Sequence, residues 1–353
     1  MRRGFIPIIG AITLLAALAG CTSVSYYAKS LDGHLQIMTA RQNVERLIDK
    51  PTTPEPLRNR MAAAREIRQF AVTELDLPDN NSYRTYVDIG RDYVTWAVFA
   101  APEFSLAPHI KCFPVFGCVP YQGFFNPKDA VREARKLEDE GFDVHISGVN
   151  AYSTLGLTSD PLLSTMFRFD RTYLAGIVFH ELAHQRVYVK GDSAFNESFA
   201  VTVETTGVQK YLRAHGDSAA LRAYQRDRQR QADVLRLVDG AKRELDKIYR
   251  STGTPEEKRA AKTAAIERLR AKYRKLRDTR WGGNRDYDQW FDTPINNAKL
   301  AATSVYNDQV PAFERLFELC GKDYPRFYDA VAGYGALAQD KRMDALKGAR
   351  SCR

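Results

Sequence analysis

The pentapeptide His180-Glu181-Leu182-Ala183-His184 constrains this 353-residue chain more than any other stretch. It follows the apolar run from Leu174 to Phe179, so two imidazoles and a carboxylate enter a helix whose neighbours belong in a core. A buried polar group without a partner costs about 1–3 kcal/mol, and side chains four apart on a helix share one face. A core helix whose histidines merely find backbone partners would leave these adjacent polar turns unexplained. A tetrahedral ion shared by both rings explains them, and zinc suits imidazole donors. Glu181 stands beside the first histidine, placed to take a proton from water without itself being a ligand. A catalytic zinc keeps three protein ligands and one open position, so a third donor is required. Twelve residues separate His184 from Glu197, which lies at the start of a second helical pattern, Phe195 to Ala200. Asp170 is the expected N-cap of the first helix, which should run to about Tyr188. A turn at Gly191-Asp192 would bring the second helix back antiparallel, with Glu197 beside the histidines. The expectation is one Zn2+ per chain on His180, His184 and Glu197, with Glu181 as catalytic base.

These residues resemble the gluzincin metallopeptidases, in which two histidines and a downstream glutamate hold the metal. More closely, the chain is similar to the putative aminopeptidase family of bacterial lipoproteins, through the stretches Ala151–Gly156, Asp160–Ser164, His180–Gln185 and Phe195–Ala200. The resemblance covers most of the chain and is weakest at the C-terminus. It implies a zinc-dependent peptidase core and peptide or protein substrates. It also implies an edge strand beside the metal, for which Asn150, Ala151 and Tyr152 are the candidate substrate-binding residues. Gluzincins commonly draw a Tyr, His or Arg from a later segment to stabilise the oxyanion, and Tyr306 is the candidate. The aspartate often found four residues after the third ligand is absent, Val201 occupying that place, so Glu204 is the candidate carboxylate for holding a ligand histidine. Aminopeptidases also need carboxylates for the substrate's α-ammonium; Glu103 is the only one singled out.

The chain begins with Met1-Arg2-Arg3, an apolar run from Phe5 to Leu18 and Leu18-Ala-Gly-Cys21. This is the pattern of a signal peptide, too short to span a bilayer comfortably. Its ending looks like a lipobox, implying cleavage before Cys21 and lipidation of that thiol. Thr22 follows Cys21 where an Asp would favour the inner membrane, so the expected location is the outer membrane, facing the periplasm. Four further cysteines can then form disulfides. Proximity favours Cys112–Cys118 and Cys320–Cys352 among the three pairings, with loop-closure contributions of roughly 2 and roughly 4 kcal/mol.

The organisation expected is α+β and predominantly helical. A signal peptide (1–20) precedes an N-terminal helical support (21–80), with a continuous helix from Tyr26 to about Lys50 resting on Leu31, Leu35, Met38, Val44 and Leu47. A catalytic core (81–215) carries strands at Tyr86–Asp88 and Tyr93–Ala100, a helix at Pro127–Glu140 and an alternating strand from Phe142 to Tyr152. Residues 216–280 read as a basic helical hairpin with coiled-coil-like seams. A C-terminal helical part (281–353) completes the core. Residues 221–280 hold 19 Lys and Arg against 9 Asp and Glu, more than the whole chain's net charge of +9. In an envelope protein such a segment points to anionic lipid heads, lipopolysaccharide or an acidic partner and not to nucleic acid; the alternative is a solvated arm. The reading carried forward is a lipid-anchored zinc metallopeptidase, and the family resemblance implies an aminopeptidase. Its rival is a non-enzymatic zinc-containing scaffold whose hairpin binds an envelope partner.

Overall fold

The computed structural model describes residues 25–352 except 114–116, 155–157 and 308; residues 113, 117 and 304–307 are described by backbone alone. Cys21 and the apolar leader lie outside the described residues. The described chain opens on a helix through residues 25–39 (α1), a two-residue strand Gln42–Asn43 (β1) and a short helix Val44–Asp49 (α2). The single helix expected to Lys50 is therefore interrupted. Asn43 leaves the helix, pairs with Thr85 and caps α2 by accepting from Arg46 N at 3.0 Å. The apolar face differs as well: Leu31 and Leu35 are exposed, while Gly33 and Ile37 turn inward. Gly33 lies under the Phe125 ring, where any Cβ would come within 2.4 Å of a ring carbon.

Helix α3 (Glu55–Leu75) ends where Asp76 adopts φ +50°, and the chain then forms strands β2 (Thr85–Val87) and β3 (Thr95–Pro102). Strands β4 (Lys111–Phe113) and β5 (Gly117–Val119) form a hairpin closed by the Cys112–Cys118 disulfide. Strand β6 (Tyr121–Phe124), helix α4 (Pro127–Asp139) and strand β7 (Phe142–Val149) follow, Gly141 supplying the positive φ that ends α4. A two-residue strand β8 (Leu162–Leu163) runs parallel to β2. The central sheet has the order β6-β3-β7, antiparallel throughout. Its faces divide by alternation. Val98 and Ala100 with Val144 and Ile146 pack on α4, whereas Ala97, Phe99 and Ala101 turn to the other side.

That other side meets the remaining helices. Helix α5 (Arg171–Arg186) carries the histidines, α6 (Ser193–Ala214) returns beside it, and α7 (Ser218–Arg250) and α8 (Pro255–Arg280) form the long hairpin. The chain ends in α9 (Asp288–Asp292), α10 (Asn297–Asn307), α11 (Val310–Leu319), α12 (Tyr324–Gly335) and α13 (Gln339–Lys347), the last turns tied back by the Cys320–Cys352 disulfide. Helices α3, α5 and α6 share the main core with α11 and α12. Helices α3, α5 and α6 meet tightly at Gly207, where a Cβ would lie 2.8 Å from Leu75 Cδ1 and 2.9 Å from Phe179 Cδ2. Among the described residues no helix is long and apolar enough to cross a membrane.

The hairpin is not a free arm. Val234, Val238 and Leu245 of α7 meet Ile266, Leu269 and Tyr273 of α8, and the same cluster takes in Phe291, Ile295 and Leu300. The Thr254–Glu257 capping box fixes the start of α8. Lys262 donates to Asp143 at 2.6 Å and to the Glu103 carbonyl at 3.0 Å, and Asp143 also accepts from Asn297 N at 2.9 Å. One carboxylate at the start of β7 thus joins the hairpin, α10 and the sheet.

Candidate metal centre

The local sequence explains why the three donor side chains meet. Asp170 begins α5 by accepting from Tyr173 N at 2.9 Å. After α5, Gly191 turns the chain at φ +81° and Asp192 caps α6 by accepting from Phe195 N at 3.1 Å. The Asn196 side chain accepts from Val189 N and donates to Val189 O, both at 2.8 Å, locking the turn onto the first residues of α6. Glu197, the next residue, then faces α5. Arg342 of α13 forms a buried ion pair with Asp192, which fixes the same corner from behind.

His180, His184 and Glu197 present donor atoms within 4.8 Å of one another, a cluster that could hold a metal ion. His180 Nε2 lies 3.2 Å and His184 Nε2 3.7 Å from the two oxygens of Glu197. Zinc bonds of about 2.0–2.1 Å in tetrahedral geometry place neighbouring donors roughly 3.3 Å apart, so these separations fit that ion. Glu204, two turns beyond Glu197 on α6, has Oε2 3.1 Å from His180 Nδ1. A carboxylate there fixes the ring and its tautomer. Gly176, one turn before His180, leaves the space: a Cβ would lie 3.4 Å from Glu204 Cγ. His184 Nδ1 is buried with no hydrogen-bond partner among the described residues.

Burial by itself would raise the Glu197 carboxyl; hydrogen bonds and positive charge from the two imidazoles outweigh it and hold the group well below the usual carboxylate range. Burial would likewise lower His180, but Glu197 and Glu204 outweigh it and raise the imidazole well above its ordinary value. The pair thus stabilises positive charge where the donors converge. Glu181 is pushed up by burial, with the histidines opposing.

His180, Glu181 and Glu204 line one cleft of about 840 Å³, walled by β7 on one side and α7 with α10 on the other. Strand β7 pairs with β3 and is the edge of its sheet among the described residues, and Ser147 to Ala151 face the cleft. Asn150 donates to Tyr173 OH at 2.6 Å, and its carbonyl accepts from Thr165 at 2.6 Å. Tyr152 turns away from the cleft: its hydroxyl lies 2.9 Å from His34 Nδ1. Glu103 is also outside the cleft lining, engaged by Arg259 at 2.6 and 3.0 Å. Tyr306 lies on α10, and its side chain is outside the described residues.

Several contributors escape the sequence patterns. Burial, and then the charge of Glu197, raises the hydroxyl pKa of both Tyr121 and Tyr188. Tyr83, at φ +62°, buries its hydroxyl without a partner among the described residues; burial, and then the charge of Glu181, raises its pKa well above the ordinary value. Behind α5, Gln185 donates to Asp160 at 3.1 Å and accepts from Asn80 at 2.7 Å, while Asp160 accepts from Thr154 Oγ1 at 2.6 Å. This network ties the segment after β7 to the helix bearing the histidines. Arg228, Lys299 and Trp290 enter the same cleft.

The fold and the cluster define a mostly helical α+β protein with a His-His-Glu site able to bind a metal ion. The chain belongs to the putative aminopeptidase family, whose model matches residues 25–346. No curated protein and no solved structure matches it significantly.

Proposed function

We propose that this protein is a zinc metallopeptidase with a gluzincin-like core that trims peptides from their N-termini. The convergence of His180, His184 and Glu197, with His180 opening on a cleft that Glu181 and the edge strand β7 also line, carries the reading. A bound zinc would supply Lewis acidity at the scissile carbonyl and lower the pKa of water. A substrate main chain adds beside β7 at Ser147–Val149 and is aligned by its hydrogen bonds. Glu181 takes the proton of the attacking water and returns it to the leaving amine nitrogen. Glu204 keeps His180 Nδ1 protonated and its Nε2 directed at the cluster. Tyr121 and Tyr188 join Tyr306 as candidates for the donor that a developing oxyanion requires. Zinc analysis of the purified protein with a digest of a mixed peptide library tests the whole. About one zinc per chain and N-terminal trimming are expected; cleavage confined to internal bonds would refute the aminopeptidase assignment, and no cleavage by a zinc-loaded protein would refute the peptidase.

The location is proposed on sequence alone: Leu18 to Cys21 is read as a lipobox, with the enzyme held at the outer membrane by acylated Cys21. Cys21→Ser should move the protein from the membrane to the soluble fraction. Equal membrane association of both proteins would refute lipid anchoring through Cys21.

A further inference from the structure

The wall of the cleft opposite α5 carries two cations, Lys299 and Arg228, that form no ion pair among the described residues; the carboxylate of Glu314 on α11 acts on Arg228 only as a longer-range charge. Lys299 is 3 % exposed and its ammonium donates to Trp290 O and Thr293 Oγ1, both at 2.6 Å, while lying 4.6 Å from the centre of the Trp290 ring. An ammonium has three donors; the third has no partner among the described residues. Burial, and then the charge of Arg270, pushes Lys299 down to about 8. Arg228 on α7 is half-buried, lines the cleft, and has no hydrogen bond or ion pair among the described residues. The carboxylates sharing the cleft are committed elsewhere: Asp170 caps α5, Glu204 holds His180 and Asp227 pairs with Arg230. Glu181 is the base of the proposed reaction. His145, facing the same space from β7, is pushed down to about 4 by burial and then by Lys299, so it is neutral at neutral pH and adds no third cation.

A buried cation without a counter-ion is costly, and a cleft that keeps the buried Lys299 beside the half-buried Arg228 favours an anion. We propose that Lys299 and Arg228 form a carboxylate subsite, so that the favoured substrate is a peptide bearing an acidic side chain or a free C-terminus close to the bond that is cut. The proposal rests on the peptidase reading and names its substrate class. Both sources offer the same planar pair of oxygens, to which Arg228 can donate in bidentate fashion and Lys299 as a point charge.

The test uses short alanine-based peptides in pairs, Glu against Gln at one position and free acid against amide at the C-terminus. Turnover is followed with the zinc-loaded enzyme, and binding is measured separately with Glu181→Gln protein. A hydrogen bond to a charged group supports about a 10- to 100-fold preference for the carboxylate member of a pair. The pair that shows it identifies the side chain or the terminus as the source. Arg228→Gln, at a residue with no hydrogen bond or ion pair to lose among the described residues, should collapse that ratio to a few-fold; Lys299→Met should do so as well if it folds. Equal binding of both members of each pair, or an unchanged ratio in Arg228→Gln, overturns the subsite. Binding with the carboxylate preference but no turnover by the wild type would instead remove the peptidase reading and leave the subsite standing.

Discussion

Replacing Glu181 with Gln is expected to leave the protein folded and metal-loaded while lowering peptide turnover by about 10²–10⁴-fold, the usual contribution of a positioned general base. Glu181 lines the cleft but is not one of the three clustered donors, so its loss should not reduce zinc content. Stability should be unchanged or slightly higher. A carboxyl whose pKa is raised on folding, chiefly by burial here, weakens the folded state as pH climbs through the unfolded value. Neutral Gln of nearly the same shape lacks that penalty at pH 7. Metal content, melting temperature and kcat/KM measured on both proteins check the three statements together. Turnover equal to wild type would end the role assigned to Glu181. Zinc in both proteins with cleavage by neither would favour the non-enzymatic scaffold.

How much of this was legible in the sequence differs from element to element. The α5–α6 corner was, because its signals are local: Asp170 and Asp192 cap helices, Gly191 takes a positive φ, and the histidine spacing fixes a common face. The alternation of β7 was legible for the same reason, with Val144 and Ile146 on the α4 side and His145 and Ser147 on the cleft side. The hairpin's own seam could be read, since Val234, Val238 and Leu245 recur on one face of α7. Its position could not. Periodicity states which face is buried and not what buries it, so nothing in residues 216–280 announces that Arg228 reaches the same cleft as His180. The break in the first helix was missed because Asn43 acts through Thr85, a partner more than 40 residues away. Lys299 reads as an ordinary surface lysine until α10 folds it against Trp290.

Metal binding should be lost when His184 is replaced by Ala. The ring supplies one of three donors within 4.8 Å, and its Nε2 faces Glu197 across 3.7 Å. The two donors left would leave the ion short of the three protein ligands of such a site. A bound ion also stabilises the folded chain by mass action, about 2.7 kcal/mol at a free concentration 100 times Kd. Wild-type protein should therefore melt at a lower temperature after chelation and recover when zinc is restored, whereas His184→Ala should melt at one temperature in both conditions. Glu204→Gln provides a graded comparison. It touches His180 Nδ1 at 3.1 Å and not the shared donor space, so its removal should weaken zinc affinity by roughly 10–100-fold without abolishing it. Direct zinc titration of the three proteins, with melting curves taken before and after chelation, reads both effects. Full zinc occupancy in His184→Ala, or a chelator-sensitive melt that survives the substitution, would place the ion elsewhere and dissolve the cluster's claim to it.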